Sequence, residues 1–373
     1  MALPPELPPR MKLEGLNILI TSNEPWGEVW FSKHHYANEL AKHNQVVFVN
    51  PTAPWRPGMI GGAGVSLQRV QQNLHVLNYR NLLPAFHDLP FSLNNAFVSR
   101  AIRNALHTKN LVPDIYIAFD PSRLYNPKLL GAKRSVFFAV DDYAMTIRGE
   151  CFIFPNVDRF ITLSESFNRT YAPYNKPILT ISHAIAAEAF QAEPARFGVT
   201  EYGLYIGTMD RRLDLELIRS LVTDQPHTPF VFVGPYALEG SQAANELFRQ
   251  GKYPNVHLVG TVPSRNLAAY IAGARFCLAP MDIKLHGNSI SHHKIFQYLA
   301  LGKPVFSTTF TEYAPIAQLL YMSNDEATTR ARLGRFLAAG EPEDLPTDRI
   351  AFARTKTYDA LLVEIGDFLD VRA

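Results

Sequence analysis

Six polar side chains crowd the point where a loop gives way to an amphipathic run: Ser289, Ser291, His292, His293, Lys294 and Gln297. The loop, 281–291, follows the apolar stretch 276–279 and Pro280. The run 292–301 ends at Gly302, and Lys303-Pro304 leads into Val305-Phe306. A strand, loop, helix and strand in that order put the cluster outside the carboxyl end of a strand, where open α/β sheets take their ligands. They also put it at a helix N-terminus, whose unpaired N–H groups and dipole favour phosphate. Lys294 and Gln297 are three residues apart and share a face, so an ammonium for a phosphate and an amide for a ribose hydroxyl would work together. A nucleotide-diphosphate pocket is the expectation. His292 and His293 are adjacent and would point apart on a helix, which is not metal spacing.

Three further stretches end expected strands in small or polar residues: Gly207-Thr208-Met209, Gly234-Pro235 and Gly260-Thr261. Any one is an ordinary turn. As a set beside 287–297 they would line one pocket, with glycines that let a ligand approach the backbone. In the first half, Asp141 and Asp142 follow the apolar run 135–140. A carboxylate there can deprotonate a hydroxyl nucleophile, although the pair could also hold a divalent metal or cap a helix. Asp120, at the end of the run 114–119, competes for the role of base. Lys33, His34 and His35 open the first long helix and are candidates for the acceptor side. No G-x-G-x-x-G, Walker A, G-x-S-x-G or H-E-x-x-H pattern is present.

The elements that must position these residues alternate between strand and helix along the whole chain. Expected strands are 17–21, 46–49, 74–78, 114–119, 135–140, 157–163 and 178–181, then 202–206, 230–233, 256–259, 276–279 and 305–306. Helices are expected at 32–43, 91–106, 127–130, 165–171, 213–222, 265–272, 292–301, 327–339 and 358–369. This is an α/β chain of two domains, as 373 residues permit, with the boundary in the aperiodic stretch 184–200. Hydrophobic residues make up 47% and charged ones 19%, enough for proper cores. A net charge of +2 gives no electrostatic case for nucleic acid. Residues 1–185 carry 18 Lys and Arg against 13 Asp and Glu, the rest 18 against 21. That asymmetry is either scatter or a face for an anionic surface. The two cysteines, Cys151 and Cys277, fit a reducing compartment and offer no disulfide framework. No run of about eighteen apolar residues exists to span a membrane. The start, MALPPELPPR, lacks the apolar core of a signal peptide.

The run His293-Lys294-Ile295-Phe296-Gln297-Tyr298-Leu299-Ala300-Leu301-Gly302-Lys303-Pro304-Val305 resembles the K-x-x-E-Y-L-A-x-G-K-P-V run of GT-B glycosyltransferases. With Gln at the Glu position, it looks most like the inverting glucuronosyltransferase of xanthan synthesis (GumK-like) and related surface-polysaccharide transferases. The resemblance covers most of the chain, but only this run is specific. It implies two Rossmann-like doubly wound parallel-sheet domains facing a cleft. They would span 1–190 for the acceptor and 191–350 for the nucleotide sugar, with a helix in 351–373 crossing back to the first. It implies sugar transfer from a nucleotide diphosphate sugar, UDP-linked, to a hydroxyl of a lipid-linked or growing glycan. Lys294 and Gln297 would contact the UDP of the donor, Met209 its uracil side, and Asp141 would be the base, with Gly207, Thr208, Gly234, Thr261, Ser289, Ser291 and His293 lining the donor pocket. Asp142, His34 and His35 would stand on the acceptor side. No metal or other cofactor would be needed, because Lys294 and the helix N-terminus would neutralise the leaving group. The enzyme would be cytoplasmic, meeting the inner face of the membrane through Trp26, Trp30, Phe31 and the basic excess. Two departures matter. Thr261 stands where the family has Glu, which bears on base or sugar selectivity. Ser289 and Gln297 stand where retaining enzymes carry paired Glu, which points to inversion. The alternatives are a non-catalytic nucleotide-sugar-binding subunit and a GT-B-fold epimerase.

Overall fold

Short β-branched and aromatic runs such as Asn17-Ile-Leu-Ile-Thr21 and Phe230-Val-Phe-Val233 are apolar on both faces, as strands of a parallel sheet covered on two sides must be. The computed structural model, which describes residues 13–27, 30–53, 63–83, 88–143, 152–249, 251–286 and 292–370, assembles them into two units. Unit 1 comprises Met1–Ser182 and Tyr358–Ala373; unit 2 comprises His183–Thr357. The sequence reading placed these divisions at 190/191 and 350/351.

Unit 1 runs β1 (Asn17–Thr21), α1 (Ser32–Leu40), β2 (Gln45–Val49), β3 (Ser66–Gln71), β4 (Leu74–Asn78), α2 (Asp88–His107), β5 (Ile115–Ala118), α3 (Pro127–Leu130), β6 (Arg134–Ala139), α4 (Phe154–Asn156), β7 (Arg159–Thr162), α5 (Asn168–Tyr171) and β8 (Ile178–Thr180). Its sheet has the order β3-β4-β2-β1-β5-β6-β7-β8. All pairings are parallel except β3 with β4. The chain winds outward one way from β1 and the other way from β5, so the topological switch lies between them. β3 was not foreseen: its sequence SLQRVQ is polar and it is an exposed edge strand, so it shows no buried face in its pattern.

Unit 2 runs β9 (Tyr202–Ile206), α6 (Leu215–Asp224), β10 (Phe230–Val233), α7 (Gln242–Phe248), β11 (Val256–Gly260), α8 (Leu267–Gly273), β12 (Ala274–Ala279), α9 (Ile283–His286), α10 (His293–Ala300), β13 (Val305–Ser307), β14 (Tyr321–Met322), α11 (Glu326–Ala339) and α12 (Leu345–Arg354). Its parallel sheet has the order β11-β10-β9-β12-β13-β14, with the switch between β9 and β12. The short β14 and α7 and the weakly amphipathic α12 were not foreseen. α12 is fastened by one fully buried residue. Arg349 forks onto Glu341 at 2.5 and 2.7 Å and donates to the Leu319 and Gly302 carbonyls at 2.9 and 3.2 Å. A bidentate pair with each guanidinium nitrogen donating to an acceptor is the form in which a buried charge is tolerated.

The last helix, α13 (Tyr358–Leu369), belongs to unit 1. Tyr358 packs edge-on against Tyr36 of α1 at 4.9 Å and stacks with His35 at 5.8 Å. Its apolar face, Leu361, Leu362, Ile365 and Leu369, is buried. Burying a side chain of that size contributes about 1.5–3 kcal/mol.

Candidate functional site

In unit 2, β9 and β12 are neighbours whose following segments depart to opposite sides, which opens the crevice at their carboxyl ends. After β9 comes Gly207, and after β12 come Pro280 and Met281. The two exits are stitched together. The Asp214 N–H donates to the Pro280 carbonyl at 2.9 Å, the Asp282 N–H to the Arg212 carbonyl at 2.8 Å, and Leu213 pairs with Met281.

α10 is anchored over this edge by Tyr298, whose hydroxyl accepts the Ile206 N–H at 2.9 Å and lies 3.5 Å from the Leu278 carbonyl. The Tyr of the K-x-x-Q-Y run thus fixes the helix to both switch strands. One turn earlier Lys294 reaches down to β9. Its Nζ donates to the Tyr205 hydroxyl at 3.0 Å and sits 4.1 Å from the centre of that ring. Among the described residues no carboxylate lies within ion-pairing distance of Nζ. Asp210 acts on it from further off and is itself forked onto Arg212 at 3.0 and 2.6 Å. Burial, reinforced by Arg212 and opposed by Asp210, lowers the Lys294 pKa to about 7.

Glycine is required beneath this ammonium. Gly207 has φ +138°, and a Cβ there would lie 2.7 Å from Lys294 Nζ. Gly234 has φ +143°, and its Cβ would fall 2.2 Å from the Gly207 carbonyl oxygen. The turns are laddered through Gly207 N–H to Val233 O and Gly234 N–H to Gly260 O, each at 2.9 Å. The expected grouping of Gly207, Thr208 and Gly234 with Lys294 is therefore present, and Gln297 follows on the same short helix. Thr261 stands exposed beyond β11, the edge strand. Ser289 and Ser291 lie outside the described residues.

Two expected ligand contacts take other places. The Met209 side chain is buried in the core, because its backbone pairs with Tyr236 and donates to the Pro235 carbonyl at 2.8 Å. It is not offered to a base in this structure. His293 turns away from the strand ends: its Nε2 lies 3.0 Å from the Ala184 carbonyl and its ring packs on His183 at 5.5 Å. It holds the segment by which the chain enters unit 2. His292 points elsewhere, as adjacent helical residues must, packing edge-on against Phe310 at 4.7 Å. Its N–H and C=O both engage the Tyr313 hydroxyl, at 2.7 and 3.0 Å.

In unit 1, Asp141 and Asp142 stand exposed just beyond β6, with Arg169 at 4.0 Å from Asp142. Asp120 is buried and committed: it accepts the Ser122 N–H at 2.7 Å and pairs with Arg123 Nε at 2.6 Å. Arg123 also donates to the Asn50 carbonyl, the Tyr79 hydroxyl and the Ser22 carbonyl, tying together the segments that follow β1, β2, β4 and β5. His34, expected on the acceptor side, is fully buried. Its Nδ1 accepts the Phe31 N–H at 3.1 Å, which leaves Nε2–H to donate to the Pro25 carbonyl at 3.0 Å. Both nitrogens are spent on folding the loop over α1, helped by Lys33, which pairs with Glu24 and Asn23. His35 is sandwiched by Trp30 and Tyr358. Trp26 and Trp30 pack on each other, and Trp26 also packs on Phe48 and His34, so of the three aromatics expected to face outward only Phe31 is exposed.

Tyr205, Asp210, Arg212 and Tyr313 carry no mark in the sequence that sets them apart as neighbours of this site. The first is one apolar-looking strand residue among many; nothing in its spacing marks its hydroxyl as the lysine's partner.

The Lys294 pKa gives a signed expectation. Between about 7 and the higher value an anion would impose, the free site has lost the proton that the complex needs. Binding of a diphosphate ester should therefore weaken as pH rises above about 7, by up to tenfold per unit, and take up a proton. Titration calorimetry in buffers of different ionisation enthalpy reads this; an affinity flat across that range would show that Lys294 does not meet the anion.

No family model matches the chain. It is 29% identical over 172 residues to TuaH of Bacillus subtilis (strain 168), named as a teichuronic acid biosynthesis glycosyltransferase. The match takes in 45% of this chain and 43% of TuaH, so it spans less than half of that relative. Among solved structures, a UDP-forming α,α-trehalose-phosphate synthase from Burkholderia vietnamiensis superposes with TM-score 0.66 at 14% identity, covering 95% of this chain and 98% of that one. A trehalose-6-phosphate synthase described as transferring glycosyl groups with retention does so with TM-score 0.63 at 11% identity, covering 96% and 99%. The fold is that of the GT-B glycosyltransferases, two parallel-sheet Rossmann-like domains.

Proposed function

We propose that this protein is a glycosyltransferase that moves a sugar from a UDP-linked donor to an acceptor hydroxyl, with inversion at the anomeric carbon. The observation that carries the reading is Lys294. It is a desolvated ammonium without a carboxylate partner among the described residues, held at the N-terminus of α10 and at the switch point of the unit 2 sheet. In the reaction the acceptor hydroxyl passes its proton to Asp141 while its oxygen bonds to the anomeric carbon. The bond from that carbon to the diphosphate breaks, and Lys294 with the helix N-terminus receives the leaving charge. The partial match to TuaH, named for teichuronic acid biosynthesis, supports a growing glycan as the acceptor, which this reading takes to be lipid-linked, and the UDP-forming neighbour supports the nucleotide. Gln297 and position 289, where the sequence lacks a carboxylate pair, support inversion.

Thermal unfolding against UDP, GDP, TDP and their sugars tests the donor. Saturation about a hundredfold above Kd stabilises by about 2.7 kcal/mol. UDP and a UDP-sugar should thus raise the melting temperature by several degrees, and GDP and TDP by less. No shift with any of them overturns the pocket. A shift with UDP but no transfer to any acceptor would instead identify a binding subunit.

A further inference from the structure

Three of the six large apolar side chains exposed among the described residues belong to one surface of unit 1: Leu83 (36%), Leu93 (39%) and Phe97 (52%). Leu93 and Phe97 are four residues apart on α2 and share its outer face. Leu83 is brought to that turn by Asn94, whose Oδ1 accepts the Leu83 N–H at 2.8 Å and whose Nδ2 donates to the Leu83 carbonyl at 2.7 Å. The inner face of the helix, with Val98, Ile102 and Leu106, is buried against the sheet. Asn95 accepts the Tyr125 N–H at 3.0 Å, which sets the first half of α2 at the carboxyl edge of the strands. Asp141 follows β6 at the same edge. Arg100 and Arg103 stand exposed on the next turns, and the sole acid in the helix is Asp88, its first residue.

We propose that this face docks on an anionic lipid bilayer, with Leu83, Leu93 and Phe97 entering the interface and Arg100 and Arg103 meeting lipid phosphates. The docking rests on the reading of a lipid-linked acceptor, whose hydroxyl would be met at the membrane surface. The dimensions agree: Leu93 and Arg103 are about 15 Å apart along the helix, and interfacial helices sink about 5–10 Å. The apolar end can reach the acyl boundary while the guanidinium groups stay among the headgroups. No helix among the described residues is long and apolar enough to cross a membrane. Charge selects the occupant: Arg100 and Arg103 border the apolar side chains and no acid follows Asp88 in the helix, which suits lipid phosphates.

Sedimentation of the full chain with vesicles of phosphatidylcholine alone, or of phosphatidylcholine and phosphatidylglycerol in equal parts, tests this. The protein should pellet with the anionic vesicles, not with the neutral ones, and be released by salt. L93S/F97S should bind about tenfold more weakly or worse. R100E/R103E should lose about 25-fold or more, at about fivefold per charge. Both should keep the wild-type melting temperature and UDP response, since these side chains are exposed. Wild-type protein left in the supernatant with both vesicle types overturns the proposal, as do variants that pellet normally. So would self-association that L93S/F97S abolishes, which would assign the face to a second copy. UDP stabilisation without vesicle binding removes the docking and leaves the transferase; vesicle binding without any nucleotide response does the reverse.

Discussion

Replacing Asp141 by Asn should lower the turnover of sugar transfer by about 10²–10⁴-fold, the usual contribution of a general base. The UDP-induced rise in melting temperature should be untouched, because Asp141 belongs to unit 1 and the proposed donor residues, Lys294 among them, to unit 2. The choice of Asp141 over Asp120 follows from what each carboxylate is already doing. Asp141 is exposed at the end of β6. Asp120 is buried, with one oxygen on the Ser122 N–H and the other on Arg123. To accept a proton from an acceptor, Asp120 would have to release the guanidinium that binds four strand ends together. Its Asn variant should therefore lose stability, by about 3–5 kcal/mol if the buried arginine is left unpaired. Steady-state kinetics with melting curves on both variants separate the two roles. A D141N enzyme with the wild-type rate would refute the base assignment. The anomeric configuration of the product, read by NMR, is the companion measurement, since a retained configuration would exclude a single in-line displacement through Asp141.

The second large effect is at Lys294. Lys294→Met should abolish most donor binding and slow transfer by about 10²–10³-fold, the scale seen when one preorganised group facing a developing charge is removed. The same change should leave the free protein as stable as the wild type or more so. Burial holds the lysine pKa near 7, far below its value in the unfolded chain. A lowered lysine pKa means the folded state resists the charge. The penalty is present in full below about 7 and fades as pH rises towards the unfolded value. Methionine removes it and keeps the volume. The measurement pairs melting temperature without ligand, compared below and above pH of about 7, with UDP affinity. A methionine variant that melts lower at acid pH would show that the ammonium stabilises the fold and is not held ready for an anion.

Much of this protein could be read without coordinates, and the reasons are local. Apolar runs of four to six residues bounded by Gly, Pro or Asp marked most of the parallel strands, because a strand covered on both faces must be apolar throughout. The amphipathic run ending at Gly302 marked α10, and its polar start marked the phosphate-favouring end. Glycine after a strand marked Gly207 and Gly234, whose positive φ angles and close neighbours admit no other residue without strain. Polar or short elements escaped: β3 for want of a buried face, β14 because two residues carry no period, and α12 because its anchor, Arg349, looks like any surface arginine until Glu341 is seen beside it.

What a side chain does with its polar atoms was not legible, since that depends on partners far along the chain. His34 and His293 were read as site residues by position, and each proves to be spent on a backbone carbonyl. Met209 follows a glycine turn as expected, yet its bridge to Tyr236 draws the side chain into the core. Residue types and spacing alone determined that this is a two-domain α/β protein with a cation at a helix start and a carboxylate after a strand. The order of strands decided the rest. Only the placement of β9 beside β12 puts Tyr205, 89 positions away, against Lys294. Only burial there turns an ordinary lysine into one whose charge is disfavoured, because desolvation is a property of the assembled surroundings and not of the residue.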